Sequence, residues 1–418
     1  MSACGLDFGT SNSGVSQPVD GSVRLLALED SLTSIPSAVF FATEAPHGIT
    51  FGRAGTREYL DGTPGRLMRS LKSLLGNSLI YETTTIGNRD VRFVDVVTLY
   101  LRTLRLRACA NAEASFDSVV MGRPVRFVDD DAVRDREAQA TLAACARSAG
   151  FRHVEFQLEP IAAAFDYERT IAHEEVVLVI DVGGGTADFT VIRLAPSRRS
   201  RIQRTDDVLA NGGVHIAGTD FDSRLNLSWV MPMLGYGSVG PKGMTVPSSV
   251  YFDLSTWHRI NLLYVPKFIG TLRELRAFFV DPLPYRRLTC VIEQRLGHEL
   301  LGQTEDAKIS LSSIDTAAID LSRIEEALAV TASRVELLSL LEDLLTRLVT
   351  VAVATVGSAG LTPAAVSTLY FTGGSSGMTA LRQAFVTAFP ESRVVVGNLF
   401  GSVVSGLGID AGRRFGDP

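Results

Sequence analysis

The chain has 418 residues, 46% of them hydrophobic and 21% charged, which is enough to bury the cores of roughly two to four domains and excludes disorder as a global state. Forty Lys and Arg against forty-six Asp and Glu give a net charge of −6, which excludes a broad basic field for nucleic acid or an anionic membrane surface. It leaves room for a small phosphate site made of backbone N–H groups and a single lysine.

The N-terminal MSACGLDFGT has neither a basic segment nor a long apolar one, so no secretory leader is expected. Cys4, Cys109, Cys145 and Cys290 are widely spaced and form no CxxC pair, which points to thiols in a reducing cytoplasm. Ala3–Phe8 reads as a buried strand, 9–14 as a turn of small residues, and Val15–Gln17 and Val23–Leu28 as antiparallel partners. Helical spacing of Phe93, Val96, Val97, Tyr100, Leu101 and Leu104 predicts a helix over 92–114. Ser118–Met121 is a strand, Asp131–Ala149 a helix closed by Gly150, and Val154–Gln157 a strand. Pro160 suits the first turn of a helix running to Ile171. Val176–Val182, a turn over 183–186, and Phe189–Leu194 follow.

A strand ending in Asp, a Gly/Thr turn and a second strand thus occur twice, as LDFGTSNSGVS and IDVGGGTADFTVI. Such a long separation implies duplication of a whole domain. Arg198, Arg199, Arg201 and Arg204 are expected on a solvated hairpin tip. Residues 232–288 mix Gly, Pro and aromatics, with Tyr251, Phe252, Trp257 and Tyr264 expected as a small aromatic core. Ser322 followed by Glu325 has capping-box spacing and predicts a helix over 323–347. Leu348–Leu361 is too short and too rich in small polar residues to span a bilayer. Thr368–Thr372 is a strand running into Gly373-Gly374-Ser375, followed by helices at Thr379–Ala388 and Ser402–Ala411.

The twin turns carry chemistry. Glycine lets backbone approach phosphate oxygens, and successive N–H groups form an anion nest. A carboxylate at the strand end suits Mg²⁺ held through waters. Asp7 and Asp181 would take that role. Glu305, Lys308 and Ser312 are spaced to share one helix face. The histidines show no metal-ligand spacing.

LDFGTSNSGVS, LVIDVGGGTADF and LYFTGGSSGM resemble the phosphate-1, phosphate-2 and adenosine motifs of the actin-like ATPase superfamily. QLEPIAAA, EDAKISLS and AGTDFD are similar to motifs of its seventy-kilodalton heat-shock protein branch, in order along almost the whole chain. The resemblance is strongest to truncated, YegD-type members. It implies an α/β fold of two duplicated lobes, each with a mixed five-stranded sheet, around a nucleotide cleft. Lobe I would cover 1–172, with 398–418 returning to it; lobe II would cover 173–397, with an enlarged insertion at about 219–300.

The resemblance further implies ATP and Mg²⁺ as cofactors. Gly9, Thr10, Ser11 and Asn12, with Gly183, Gly184, Gly185 and Thr186, would contact the phosphates. Lys72 would be the catalytic lysine, Glu159 would orient or deprotonate water, and Asp188 would be a further acid. Gly218, Glu305, Lys308, Ser312, Gly373, Gly374 and Ser375 would hold the nucleoside. Gly377 stands where the family usually places an adenine-stacking arginine, and Thr219 where it has an acid. Pro124 resembles the family's signalling proline.

The function so implied is slow Mg·ATP hydrolysis in a chaperone-like ATPase without its own peptide-binding domain, working in the cytoplasm. A nucleotide-dependent scaffold or sensor with little turnover, and a small-molecule kinase, are the alternatives. The partners expected are ATP and ADP and a protein at the 219–300 insertion, with no nucleic acid and no membrane.

Overall fold

The computed structural model describes residues 2–19, 22–43, 48–86, 89–128, 131–399 and 401–416. Two mixed sheets of the same design organise it. The strands of the first are β1 (Ala3–Phe8), β2 (Asn12–Val19), β3 (Ser22–Leu25), β4 (Ser118–Arg123) and β5 (His153–Leu158). Their order is β5-β4-β1-β2-β3, with Ser34–Pro36 pairing against β2 as a short sixth strand. The second sheet contains β6 (Glu175–Val182), β7 (Ala187–Leu194), β8 (Val208–Val214), β9 (Thr368–Thr372) and β10 (Arg393–Val396), ordered β10-β9-β6-β7-β8.

In each sheet the central strand pairs antiparallel with the next strand in sequence and parallel with a distant one. The duplication read from two short motifs is therefore a duplication of topology. Register places Asp7 opposite Gly14, and Asp181 between Asp188 and Thr372.

The helices needed to position the site are α1 (Gly52–Leu60), α2 (Phe93–Ala112), α3 (Ala132–Ala149), α4 (Glu159–Glu168), α5 (Gly218–Trp229), α6 (Gly297–Ser310), α7 (Arg334–Ser358), α8 (Thr379–Ala388) and α9 (Ser402–Phe415). Helix α3 starts at Asp131, whose carboxylate accepts from the Val133 and Arg134 N–H groups, and stops at Gly150 with φ +112°. Helices α2 and α3 lay Tyr100, Leu101, Leu104 and Leu142 on Leu6, Phe8 and Val119 of the first sheet. Helices α7 and α8 lay Leu341, Leu345, Leu348 and Phe385 on Leu178, Ile180 and Phe189 of the second. Each such side chain contributes about 1.5–3 kcal/mol by leaving water, so each lobe holds its own core.

Helices α4 and α9 join the lobes. Small residues let their backbones touch: a Cβ on Gly406 would run into the Ala162 carbonyl, and one on Gly5 into the backbone of Leu407 and Gly408. The fully buried Asp410 carboxylate accepts from Arg414 Nε at 2.8 Å and Gln157 Nε2 at 3.1 Å, which pins α9 to β5.

Two local expectations fail. The long helix begins at Arg334, not 323. Ser333 and Glu336 form the reciprocal cap, while Thr316–Asp320 and Ala329–Ser333 pair as a hairpin. The capping spacing occurs twice, and only the second copy precedes an unbroken helical repeat of apolar residues. The arginine-rich tip is not wholly solvated either. Arg204 is fully buried, binding both oxygens of buried Glu168 and also Asp207, with Arg198 on the other side of Asp207. Spacing reveals four like charges but not the two buried carboxylates folded against them.

Residues 232–288 form short helices around Tyr251, Leu254, Leu263, Leu272, Phe279 and Leu288, too short for a strong periodic signal. Leu348–Leu361 belongs mostly to α7, and among the described residues no helix is long and apolar enough to cross a membrane.

Candidate functional site

The two Asp-Gly turns face each other across the lobes. A Cβ on Gly184 would lie 3.0 Å from Ser11 Oγ, so the second turn touches the first. Gly9 packs so tightly that a Cβ would run into the Asn12 carbonyl. The second turn closes on itself through Gly183 N–H donating to Thr186 O at 3.0 Å, and Thr186 Oγ1 donates to Asp188 at 3.2 Å.

Two further segments converge on this turn. Ser375 Oγ donates to Gly183 O at 2.8 Å, and Thr219 donates to Gly184 O through both its N–H (2.8 Å) and Oγ1 (2.7 Å). Gly218 opens α5 against Ser375. Gly373, at φ +82°, leaves no room for a Cβ beside Asp181 Oδ1. Thr219, noted as a departure in sequence, thus has a definite place: it ties α5 to the turn, and a carboxylate there could not donate to that carbonyl.

Lys72 lies in a short 3₁₀ turn after the strand Gly65–Arg69, with Nζ 2.5 Å from Glu159 Oε1 at the start of α4. Both side chains are largely buried. Burial disfavours the ammonium, but Glu159 and Asp7 outweigh it and hold the Lys72 proton more tightly than water would. The two aspartates also hold their protons more tightly than in water, which for them favours the neutral form. Burial, then Glu159, pushes Asp7 up to about 7, against the pull of Lys72. Asp181 is pushed to about 7 by burial, then by Asp188, Glu159 and Asp7.

Asp7, Asp181, Asp188 and Glu159 therefore converge on a single cation. That excess of negative charge suits a divalent cation. Among the described residues no three His, Cys, Asp or Glu side chains stand close enough to ligate a metal directly. Two carboxylates from twin turns fit an ion that keeps most of its water.

Glu305, Lys308 and Ser312 lie on or just after α6, but the pair that forms is not Glu305–Lys308. Lys308 Nζ is 2.6 Å from Asp222 of α5, and both side chains are about nine-tenths buried. Burial raises the Asp222 carboxyl to about 6, with Lys308 drawing it back. Glu305 is exposed, and Ser312 O accepts from Thr379 at the start of α8. Gly374 and Ser375 lie in the 3₁₀ turn Gly374–Gly377, whose last residue packs on Leu399.

A second contact between the lobes escaped sequence reading. Trp257, from the 232–288 segment, stacks on Tyr59 of α1 (centroids 5.8 Å, planes 26° apart). The Arg69 guanidinium sits 4.1 Å over the Trp257 ring, and His298 of α6 meets that ring edge-on at 4.9 Å. Of the four aromatics expected as a local core, Tyr251 is buried there, Phe252 is exposed, and Trp257 instead meets the other lobe. Nothing in the spacing marks Tyr59, Arg69 or His298.

Comparison with known proteins points to one family over part of the chain. The family described as "Hsp70 protein" matches residues 77–231. Chaperone protein HscA of Proteus mirabilis is 29% identical over 255 residues, covering 56% of this chain and 38% of that protein. HscA of Yersinia enterocolitica is 30% identical over 261 residues, 58% and 39% respectively. The HscA homolog of Tolumonas auensis is 30% identical over 245 residues, 54% and 37%. The matched region spans less than two-fifths of these relatives.

Proposed function

Because the chain belongs to the Hsp70 family and has its actin-like ATPase fold, we propose that it binds Mg·ATP between its two turns and slowly hydrolyses it to ADP and phosphate, as a chaperone-like ATPase. The observation that carries this reading is the approach of Ser11 to Gly184, with Asp7 and Asp181 at the two turn bases and Lys72 near both.

Backbone N–H groups of 9–12 and 184–186 bind β- and γ-phosphate oxygens, since the glycines let the backbone approach them closely, while the Gly183 N–H closes the second turn on Thr186 O. Asp7 and Asp181 are the residues that would hold Mg²⁺ through waters, and the ion would supply charge neutralisation to the phosphates. Lys72, kept protonated by its carboxylate neighbours, stabilises charge that grows on the γ-phosphoryl group. Glu159, anchored by Lys72, orients water for in-line attack and accepts its proton as the bond to the β-phosphate oxygen breaks. Asp188, paired with Thr186, supports the second turn.

On the nucleoside side, Glu305 accepts from the ribose. Lys308, held by Asp222, and Ser312 contact the sugar and its edge, while Gly218, Gly373, Gly374 and Ser375 pass the base between two backbones. Lys72 and Glu159 serve water rather than a substrate hydroxyl, which disfavours a kinase. Gly377, with no guanidinium to cover the base, favours a second reading: a nucleotide sensor with little turnover. The four unpaired cysteines agree with a reducing cytoplasm as its compartment.

Thermal unfolding with ATP, with and without Mg²⁺, tests binding. At 100 times the dissociation constant the ligand adds about 2.7 kcal/mol. Asp181→Asn should lose the Mg²⁺-dependent part. Absence of any shift would remove the reading, and phosphate release separates hydrolysis from sensing.

A further inference from the structure

A cavity of about 790 Å³ lies away from the twin turns. Its walls come from both lobes: the β2–β3 hairpin, the end of α4, the turn after β7, and the last turns of α9. Three arginines line it, Arg169, Arg199 and Arg413, and none of its described lining residues is acidic.

The surrounding arginines show why this matters. Arg204 is neutralised by Glu168 and Asp207, Arg198 by Asp207, and Arg414 by Asp410 and Glu155. The three that line the cavity form no ion pair among the described residues. Arg199 is nevertheless held rigid, donating from Nε to Glu168 O at 2.8 Å and from Nη2 to Ile171 O at 2.5 Å. Arg413 lies 4.7 Å over the Phe165 ring, and its Nη1 is buried with no hydrogen-bond partner. Burial lowers its pKa, and the nearby Arg204 and Arg169 add to that despite Asp410 and Glu168.

Asp410 and Glu168 act on Arg413 from a distance but their ion pairs are made with Arg414 and Arg204, so the guanidiniums that line the cavity are left with hydrogen-bonding capacity for a further anion. Guanidinium forks match carboxylate and phosphate geometry. Pro18, Val23, Ile409 and Phe415 add apolar surface to the lining. The volume is that of a small-ligand site. We propose that this cavity binds a small organic anion with at least two carboxylate or phosphate groups on a short carbon skeleton. The anion braces the lobe II turn at Arg199 against the connecting helices α4 and α9, at a site separate from the nucleotide cleft.

Calorimetric titration of the full chain tests this, with citrate and separately with inorganic pyrophosphate, at low ionic strength and with EDTA. Saturable one-to-one binding is expected. Arg413→Gln and Arg169→Gln should weaken it roughly 10-fold or more, the loss of a charge-assisted contact. Arg413→Lys, which keeps the charge, should retain part, and Lys72→Ala should leave it unchanged. Response to citrate alone identifies carboxylates as the recognised group, and response to pyrophosphate alone identifies phosphates. No saturable binding of either probe overturns the proposal. So does binding that survives undiminished in both arginine variants, which would place it outside this cavity.

Discussion

Lowering the pH should loosen the Trp257 contact between the lobes, through His298. Nε2 of His298 lies 3.1 Å from the Trp257 carbonyl, which can only accept, so Nε2 carries the hydrogen of a neutral ring. Burial pushes the ring from 6.5 down to about 4; the Trp257 carbonyl opposes this and Arg69 adds to it. The unfolded chain therefore takes up a proton below 6.5 that the folded chain refuses until about 4. The stabilising contribution is intact above 6.5 and is lost progressively as pH falls towards 4. At about 1.36 kcal/mol per pH unit the full effect would be about 3.4 kcal/mol. The ring keeps some contact with solvent, so about 2 kcal/mol is the working figure.

Urea unfolding at several pH values between 7.5 and 4.5, followed by tryptophan emission, measures it. The chain has two tryptophans, and Trp229 is buried in the core, so changes in solvent exposure near the lobe contact report on Trp257. His298→Gln should remove the corresponding pH dependence. If the variant and the parent lose stability in parallel within about 0.3 kcal/mol across that range, the reasoning is refuted.

Lys72→Ala should reduce phosphate release by at least about 100-fold while ATP-induced stabilisation persists, checked by single-turnover hydrolysis beside a melting curve. Gly373→Ala combines a left-handed backbone with a Cβ directed at Asp181, so it should cost about 1–3 kcal/mol and abolish the ATP-dependent shift in melting. Arg204→Met leaves Glu168 and Asp207 buried without their cation and should cost about 3–5 kcal/mol in urea unfolding. Exposed Arg201→Ala should stay within about 0.5 kcal/mol of the parent.

Much of the architecture was legible because local physics repeats. Thr368–Thr372 and Thr379–Ala388 have the same bounds in sequence reading and in structure, since an apolar run and a helical repeat each report their own surroundings. The repeated Asp-Gly turn announced the duplication, because a tight turn over a buried carboxylate admits few residue types. Where the signal was ambiguous, competition decided: two capping spacings preceded α7, and only the one followed by an unbroken apolar repeat started it.

What the chain by itself could not show is which charges meet. Lys308 chose Asp222 over Glu305, and Arg204, in the loop after β7, found Glu168 at the end of α4, because burial makes a charge take whichever partner the fold brings near rather than the nearest in sequence. Trp257 read as a local core residue because aromatic clustering does not reveal whether the ring faces its own lobe or the other. The unpaired arginines of the cavity look, in sequence, like their neutralised neighbours; only packing separates those that have a carboxylate from those that do not.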